Sequence, residues 1–324
     1  MDRGRPLRAA VVTGKNEQRK VTLAVAAEAC GARLDLFLAE STGVSRKEAK
    51  RALDGGRVFV DGATERRASR SLAGGEMIVA TLAAPSPAPA PPVVLYRDEL
   101  LLATAKPAGV SSHPTGSGRP DALSAVTSLF DPGAPPPILL HRLDVDTTGV
   151  LLFALGAAAN RELARQFAGR EVQKIYLALV AGAPPESFRV ANHLRAKSGE
   201  RTVAVAAGGQ RAETDFCTVA GISGCALVEA RPHTGRTHQI RAHLAGEGYP
   251  LLGDRLYGGP STLAVDGHRL AFVRHLLHAW RLSVRHPASG ALLTLEAPVP
   301  DDFIPIAEAA GWGDDIFISQ ESDR

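Results

Sequence analysis

Two carboxylates stand one residue apart in the stretch HRLDVDTTG at 141–149, directly after the apolar run ILL. Asp144 and Asp146 could hold a divalent metal between them, because carboxylate oxygens are the ligands that hard cations prefer. They could instead supply one nucleophile and one bystander. The third interpretation is a charged turn between two strands, which is common in proteins.

The metal interpretation has one specific form. DVDTT fits the DxDx(T/V) pattern of haloacid-dehalogenase-type phosphatases, in which the first aspartate is a nucleophile, the second is an acid, and magnesium lies between them. Such a site normally follows an uncharged strand, whereas His141 and Arg142 lie directly before Asp144 here. The metal interpretations are therefore disfavoured, and for an isolated pair of aspartates the charged turn would be the default.

A second chemical feature is the basic segment SRKEAKRALDGG at 45–56. If it is a helix, Arg46 with Lys50 and Lys47 with Arg51 are like-charge pairs four residues apart, each costing about a few tenths of a kcal/mol. A helix face that repels itself is easier to explain if the phosphates of a nucleic acid neutralise it. The alternative is a solvated surface that happens to be basic.

Composition predicts a soluble globular protein, with 45% hydrophobic and 22% charged residues in a chain of 324, long enough for a large and a small domain. No apolar run approaches membrane-spanning length and the first residues do not form a signal peptide, so we expect a cytoplasmic protein. The three cysteines form no CxxC pair, which fits a reducing compartment. Residues 1–80 carry 15 Lys and Arg against 10 Asp and Glu, whereas residues 301–324 carry 1 against 7. An acidic partner is therefore expected at the front end.

One proline-rich stretch divides the chain. PSPAPAPP at 85–92 contains five prolines, which predicts a stiff, extended linker. Before it, ARLDLFLAE predicts a helix that ends near Gly43, and a second helix begins with a capping box of Ser45 and Glu48. RVFV and MIVA are typical of strands, with a tight hairpin turn at Asp61 and Gly62.

Beyond the linker, short strand-like runs alternate with Gly and Pro breaks and a few helices. VLLFAL, KIYLALVAG and CALVEARP predict strands, AAANRELARQF predicts an amphipathic helix, and TGRTHQIRAHLAGEG predicts a helix entered from a tight turn. Strands outnumber helices and do not alternate regularly with them. We therefore predict an α+β fold with a mixed, mainly antiparallel sheet.

Two sets of segments resemble known families. Over about residues 31–80, RLDLFLAE, SRKEAKRALDGGRVFVDG and GGEMIV resemble the small αL RNA-binding domain first described in ribosomal small-subunit protein four, except that Asp61 replaces the usual Asn. Over about residues 95–303, a second set of segments resembles the RluA family of RNA pseudouridine synthases. The segments are DELLLATAKPAGVSSHP, HRLDVDTTGVLLFA, KIYLALVAG, RPHTGRTHQIRAHLAGEGYPLLGDRLYGG and LLHAWRLSVRHP. Ala105, Val145 and Leu155 depart from that family's pattern, but none is a core catalytic position. The pair of domains looks like the two-domain bacterial branch, which includes enzymes of large-subunit ribosomal RNA.

The RluA resemblance implies that uridine is converted to pseudouridine: a glycosidic bond breaks, the base rotates, and carbon 5 is joined to the sugar. No redox change occurs, so no cofactor or metal is expected. By resemblance, Asp144 is the carboxylate that starts the reaction and Asp146 is a structural turn residue. A carboxylate beside an apolar base needs a cation to stay charged. By resemblance, Arg236 matches the family arginine in that role. Tyr176 matches the family tyrosine that stacks on the uracil, for which assistance in the later proton transfer is also expected.

Other residues are expected to bind the RNA. Arg142 resembles the family residue that enters the space left by the flipped uridine, although it could instead anchor its own loop. Lys174 is either a phosphate contact or a solvated strand residue. His233, His238 and His243 lack a metal motif, so core or RNA-contacting roles are expected, with His238 as the substrate-binding candidate. The basic helix adds Arg46, Lys47, Lys50 and Arg51.

The predicted domains are an N-terminal extension at 1–30, a small RNA-binding domain at 31–84, the linker at 85–92, a catalytic domain at 93–305 and an acidic tail at 306–324. The predicted protein is a monomeric enzyme that isomerises flipped-out uridines in structured RNA. The resemblance to the two-domain branch implies that this RNA is large-subunit ribosomal RNA. No membrane and no small-molecule cofactor are expected to take part. One alternative is a noncatalytic RNA-binding or ribosome-assembly factor with an idle synthase domain, which the intact HRLD, Lys-x-Tyr and TGR segments disfavour. A metal-dependent phosphatase is the other, and it would lose activity in EDTA.

Overall fold

A computed structural model describes residues 18–44, 46–83, 91–115, 120–196, 201–222, 224–265 and 267–317. The chain forms two compact units: the first comprises Met1–Ala88 with Pro114–Pro120, and the second comprises Pro89–His113 with Asp121–Arg324. Most of the proline-rich segment lies outside the described residues, as does Ser45 of the predicted capping box. Within the described ranges, no helix is both long enough and apolar enough to cross a membrane.

The small unit packs two helices on one antiparallel sheet. Its elements are β1 (Gln18–Ala24), α1 (Leu34–Thr42), α2 (Arg46–Asp54), β2 (Val58–Val60), β3 (Ala63–Thr64) and β4 (Met77–Ala83), with a 3-10 turn at Ala27–Ala29. The strand order is β1-β4-β2-β3. Helix α1 ends at Gly43, whose φ of 71° is the left-handed conformation that glycine tolerates best. The predicted hairpin turn is confirmed, because Asp61 and Gly62 both have positive φ.

Strand β1 corrects the predicted start of this unit. The predicted N-terminal extension includes residues 18–24, yet these pair with β4 along its whole length, from Gln18 opposite Ala83 to Ala24 opposite Met77. Val21 and Leu23 pack on the core of the unit. The strand QRKVTLA escapes prediction because the charges at its start dominate its composition, while only two alternate side chains face inward.

The large unit is built on one mixed eleven-stranded sheet. The sheet order is β11-β10-β12-β13-β9-β16-β8-β6-β5, with β7 also paired to β8 and β17 to β16. The elements are β5 (Val93–Arg97), β6 (Leu101–Lys106), α3 (Ala122–Thr127), β7 (Ile138–Leu139), β8 (Thr148–Ala154), α4 (Ala157–Ala168), β9 (Gln173–Ala181), β10 (Ser187–Ala196), β11 (Thr202–Ala204), β12 (Gln210–Ile222), β13 (Cys225–Pro232), α5 (Gln239–Gly246), β14 (Thr262–Val265), β15 (His268–Ala271), β16 (Leu277–Arg285), β17 (Leu292–Glu296) and α6 (Ile304–Ala309), with 3-10 turns at Arg255–Tyr257 and Asp314–Phe317.

The predicted α+β class with a mainly antiparallel sheet is confirmed. Among the described strand pairs of this sheet, only β8 and β16 run parallel, with Thr148 opposite His278 and Gly149 opposite Ala279. Strand β8 is buried along its whole length, as its apolar sequence requires. This parallel contact places the HRLDVDTTG segment next to residues almost 130 positions further along the chain.

The C-terminal segment also differs from the prediction. The sequence predicts an acidic tail at 306–324, but α6 and the 3-10 turn that follows it belong to the core of the large unit. Apolar side chains from this segment pack against β9, β13 and β16; they are Phe303, Ile306, Trp312, Ile316 and Phe317. The large unit therefore extends at least to residue 317. Its last part is hard to recognise in the sequence because these side chains are spaced among acidic residues.

Gly149 lies where β8 meets β16, and this position allows a test of the parallel contact. A Cβ atom at Gly149 would overlap the backbone of Ala279, and the φ of 121° is itself unfavourable for other residues. We expect Gly149→Ala to lower the free energy of unfolding by about 3 kcal/mol or more, since overpacking and backbone strain add. Gly290→Ala is the matched control, because φ is 71° there but nothing lies within 4 Å. Equal losses in denaturant unfolding would contradict the close approach of the two strands.

Candidate active site

Asp144 lies in a tight turn that leads into β8. The N–H of Thr147 donates to the carbonyl of Asp144 at 3.1 Å, and the Asp144 side chain is 25% exposed. Residues 143–148 form the Asp144 turn. Side chains from distant segments bind each residue of this turn except Asp144 itself. They are Ser112 on Leu143 (2.8 and 2.9 Å), Lys106 on the Val145 carbonyl (2.9 Å), Arg274 on the Asp146 carbonyl (3.0 Å), His275 on the Thr147 hydroxyl (2.8 Å) and His278 on the Thr148 hydroxyl (2.8 Å).

Lys106 is a charged support that is almost fully buried. Its ammonium donates to the carbonyls of Pro107, Val110 and Val145 at 2.8 to 2.9 Å. Burial lowers the pKa of Lys106 to about 7, although the negative charges of Asp146 and Asp144 act to raise it. The lysine thus joins the KPAG segment to the Asp144 turn. The sequence alone indicates no role for it, although the KPAG segment contributes to the family resemblance.

Arg241 is the cation that pairs with Asp144. Its Nη1 donates to Asp144 Oδ2 at 2.9 Å, while its Nε and Nη2 donate to the two oxygens of Asp254 at 2.7 and 2.9 Å. Arg241 is 7% exposed and Asp254 is 1% exposed. The face of the Tyr257 ring lies 5.0 Å from the Arg241 guanidinium carbon. The guanidinium is therefore fixed on several sides before it reaches Asp144.

The prediction that Arg236 pairs with Asp144 is wrong. Arg236 Nε donates to the carbonyl of Arg211 at 3.1 Å instead. Both Arg236 and Arg241 belong to the TGRTHQIR motif, but the backbone turns left-handed at His238, with φ at 54°, before α5 begins at Gln239. The turn directs Arg236 towards β12, whereas Arg241 lies in the first turn of α5 and contacts Asp144.

Tyr176 and Lys174 lie on the same face of β9, since they are two residues apart in a strand. Burial raises the pKa of the Tyr176 phenol, and the negative charge of Asp144 raises it further. Burial lowers the pKa of Lys174, which makes no hydrogen bond or ion pair with the described residues. A Cβ atom on Gly235 would lie 3.8 Å from the Lys174 ammonium, so this lysine borders the TGR turn.

Two neighbouring residues of the HRLD motif face different surroundings. Arg142 is exposed and makes no hydrogen bond or ion pair within the described part of the chain. His141 is structural, as expected: its Nε2 accepts from the N–H of Leu152 at 3.2 Å and its ring stacks on Phe167 at 5.5 Å. Burial and the charge of Lys174 lower the pKa of His141 to about 3.

Of the three histidines near the TGR turn, His238 lies nearest to Asp144. Its Nε2 is 3.8 Å from Asp144 Oδ2, and its Nδ1 is 3.1 Å from the Tyr257 hydroxyl. His233 pairs with Asp215 on an exposed surface, at 2.6 Å. His243 is buried and hydrogen bonded to Thr214 and Asn192. Their different surroundings could not be distinguished from the sequence.

In the small unit, helix α2 carries its basic residues opposite a buried face. Ala49, Ala52 and Leu53 of this helix are fully buried. Arg46 is 58% exposed and pairs with Asp35 at 2.8 Å, and Arg51 lies 3.9 Å from Glu48. Lys50 is exposed, and the Lys47 side chain lies outside the described residues. Carboxylates of the protein therefore partly offset the repulsion inferred from the sequence.

Comparisons with known proteins match both units. Residues 101–246 match the RNA pseudouridylate synthase family, and residues 32–78 match the S4 domain family. The chain is 32% identical over 310 residues to ribosomal large subunit pseudouridine synthase D of Haemophilus ducreyi, covering 90% of this chain and 95% of that relative. The chain belongs to the RluA family of RNA pseudouridine synthases.

Further relatives agree with this assignment of the synthase. Ribosomal large subunit pseudouridine synthase D of Xanthomonas campestris pv. campestris is 36% identical over 291 residues, which is 85% of this chain and 87% of that one. Among solved structures, human RNA pseudouridylate synthase domain containing 4 is 26% identical with a TM-score of 0.53, covering 68% of this chain and 93% of that one. The synthase thus combines an S4 RNA-binding domain with a pseudouridine synthase domain.

The two arginines of TGRTHQIR should respond differently to the same substitution. We expect Arg241→Lys to lower kcat/KM by about 100-fold, because a lysine cannot donate to Asp254 and Asp144 together. Arg236→Lys should leave kcat near that of the wild type. Single-turnover pseudouridine formation measures both variants, with thermal unfolding to confirm that each is folded. A folded Arg241→Lys enzyme with normal turnover would show that the pair is not needed.

Proposed function

We propose that the synthase isomerises specific uridines in structured large-subunit ribosomal RNA and that Asp144 is the nucleophile that acts on a flipped-out nucleotide. The RNA is proposed from the names of two relatives reported above, each called ribosomal large subunit pseudouridine synthase D. The observation that carries the role of Asp144 is its carboxylate, held at 2.9 Å by Arg241 within a turn whose other residues are all bound.

The surroundings of Asp144 suit a nucleophile. Its side chain is 25% exposed and has the Arg241 guanidinium as its cation partner. Only Oδ2 is bound by Arg241, and Oδ1 makes no hydrogen bond with the described residues. One oxygen is therefore fixed while the other is available for attack. Tyr176 provides a ring beside this carboxylate on which a uracil can stack, worth about 1 to 3 kcal/mol per base.

Two cations near the site support binding of a flipped nucleotide. Arg142 is adjacent to Leu143 in the Asp144 turn and exposed, which suits insertion into the gap left by the uridine. Lys174 has no carboxylate partner among the described residues, so an RNA phosphate or a uracil carbonyl can satisfy its ammonium. In the small unit, the outer face of α2 provides Lys50 to the RNA backbone, together with Lys47 by its place in the sequence. Arg46 and Arg51 lie beside them but are paired with Asp35 and Glu48, so they contribute less.

Asp144→Asn tests the nucleophile directly. The substitution removes the charge but keeps the shape of the side chain, so we expect pseudouridine formation to be lost while RNA affinity stays within a few-fold of the wild type. The assay is pseudouridine mapping on RNA from a strain that lacks the gene and is supplied with the wild-type or the variant enzyme, which also identifies the modified position. Substantial pseudouridine from the variant would remove Asp144 from the mechanism.

The RNA-binding role of α2 can be tested without disturbing its ion pairs. Lys47 and Lys50 are replaced together by Gln, leaving Arg46 on Asp35 and Arg51 near Glu48. If these lysines bind phosphates, the slope of log affinity against log salt falls by up to about 0.9 for each phosphate that the variant no longer neutralises. The matched control is Arg165→Gln on α4, whose guanidinium is paired with Glu162 and Glu171. Identical slopes for the double lysine variant and the wild type would contradict phosphate binding on this face.

A further inference from the structure

We infer that His238 is a second catalytic residue, whose neutral imidazole takes the proton from carbon 5 of the uracil after the new carbon–carbon bond has formed. The inference rests on the proposed function, in which Asp144 starts the reaction. It assigns a residue to the last chemical step, which requires a base to remove the proton from carbon 5. This role differs from that of the nucleophile, which acts in the first step.

The position of the imidazole is the first observation. His238 Nε2 lies 3.8 Å from Asp144 Oδ2, close to the nucleophile but beyond hydrogen-bond distance. No hydrogen bond joins this nitrogen to any residue in the described ranges, and the side chain is 20% exposed. Nε2 is therefore open to a substrate that occupies the space beside Asp144.

The second observation is the tautomer, which Tyr257 allows us to assign. The Tyr257 hydroxyl accepts from the N–H of Thr202 at 2.7 Å, and its one proton can be donated to the Thr202 carbonyl at 3.1 Å. With that arrangement, an Nδ1–H of His238 that donates to Tyr257 at 3.1 Å satisfies all three contacts of the hydroxyl. In the neutral ring, Nε2 consequently carries the lone pair, which is the form that accepts a proton.

The charges around the ring favour this neutral form. Burial is the largest effect on the pKa of His238 and lowers it. The charge of Arg241 lowers this pKa further, whereas the charges of Asp144 and Asp254 raise it. Tyr257 is the other titratable group in contact with the ring. Burial and the charge of Asp144 raise the pKa of the Tyr176 phenol, which keeps this hydroxyl protonated and favours it as a donor rather than as the base. Lys106 is also unavailable, because its ammonium is already bound to three carbonyls.

The step balances without an added reactant. When carbon 5 has bonded to C1′ of the ribose, it carries both the sugar and its original hydrogen, and the ring holds an N1=C6 double bond. His238 Nε2 takes the hydrogen as a proton, and the electron pair of the C–H bond forms C5=C6. The electrons of N1=C6 move to N1, which takes a proton from the imidazolium or from water. His238 thus returns to its neutral form, and the product is pseudouridine.

The backbone at His238 suggests the substitution for a test. His238 has φ 54° and ψ 22°, a left-handed conformation that costs most residues about 1 to 2 kcal/mol and that asparagine adopts more readily. His238→Asn therefore keeps the turn before α5, and its amide nitrogen can take the place of Nδ1 as a donor to Tyr257. The variant has no group in the place of Nε2. Strained conformations of this kind are found more often at functional sites.

The experiment compares three versions of one in vitro transcript that the wild-type enzyme modifies, made with uridine, 5-deuterouridine or 5-fluorouridine. For His238→Asn, we expect uridine turnover to fall by about 100-fold and a primary isotope effect from deuterium at carbon 5 to appear. With 5-fluorouridine, formation of the C1′–C5 bond should proceed at the wild-type rate, because fluorine cannot leave as a proton and that bond forms without the base. The control is His193→Asn, an exposed histidine of β10, which should match the wild type in all three assays.

The outcomes separate this inference from the function on which it rests. Normal uridine turnover by His238→Asn, or an equal loss with uridine and 5-fluorouridine, would overturn the role of His238, since the second pattern indicates a structural defect. Tyr257→Phe is a further test, because loss of the hydroxyl that fixes the tautomer should also produce the isotope effect; its absence would contradict the assignment. Asp144→Asn should form the C1′–C5 bond with neither substrate, and its activity on both would overturn the proposed nucleophile whatever His238 does.

Discussion

The active site depends on one guanidinium that is shared by two carboxylates. Asp254 is almost fully buried, so it requires Arg241 and receives two hydrogen bonds from it. Removing a partner from such a buried pair typically costs about 3 to 5 kcal/mol, which makes this contact the fixed one. The remaining donor, Nη1, is then the only part of Arg241 that reaches Asp144. Asp144 is therefore held by a fixed cation without being enclosed, which suits the nucleophilic role proposed for it.

The turn that carries Asp144 is rigid because its neighbours are bound to the sheet. Arg274 connects the Asp146 carbonyl to Asp302, which lies beyond β17, with two hydrogen bonds of 2.6 Å to that carboxylate. His275 and His278 reach the turn from the start of β16 only because β8 and β16 run side by side. The absence of a side chain at Gly149 permits that approach. A glycine in the middle of the sheet thus permits the strand contact that brings His275 and His278 to the turn of Asp144.

Much of this arrangement could be predicted from the sequence, and the failures have physical causes. The strands, the helices of the small unit and the position of Asp144 in a turn before a buried strand follow from local patterns that the fold preserves. The choice of Arg236 over Arg241 failed because a single left-handed residue, His238, reverses the direction of the chain within the motif. Lys106 and Arg274 were missed for another reason: their partners are backbone carbonyls, which leave no signal in the identity of the contacted residues.

Charge alone was also a poor guide to the surface that binds RNA. Arg189 and Arg211 are both more than half exposed on the sheet, yet they pair with Asp215 and Glu213. An arginine that already has a carboxylate partner gains little from a phosphate, because the same donors would have to be released first. Lys174 has no such partner among the described residues. The basic side chains that bind RNA are therefore better identified by their lack of partners than by their exposure, a property that the net charge of +3 does not reveal.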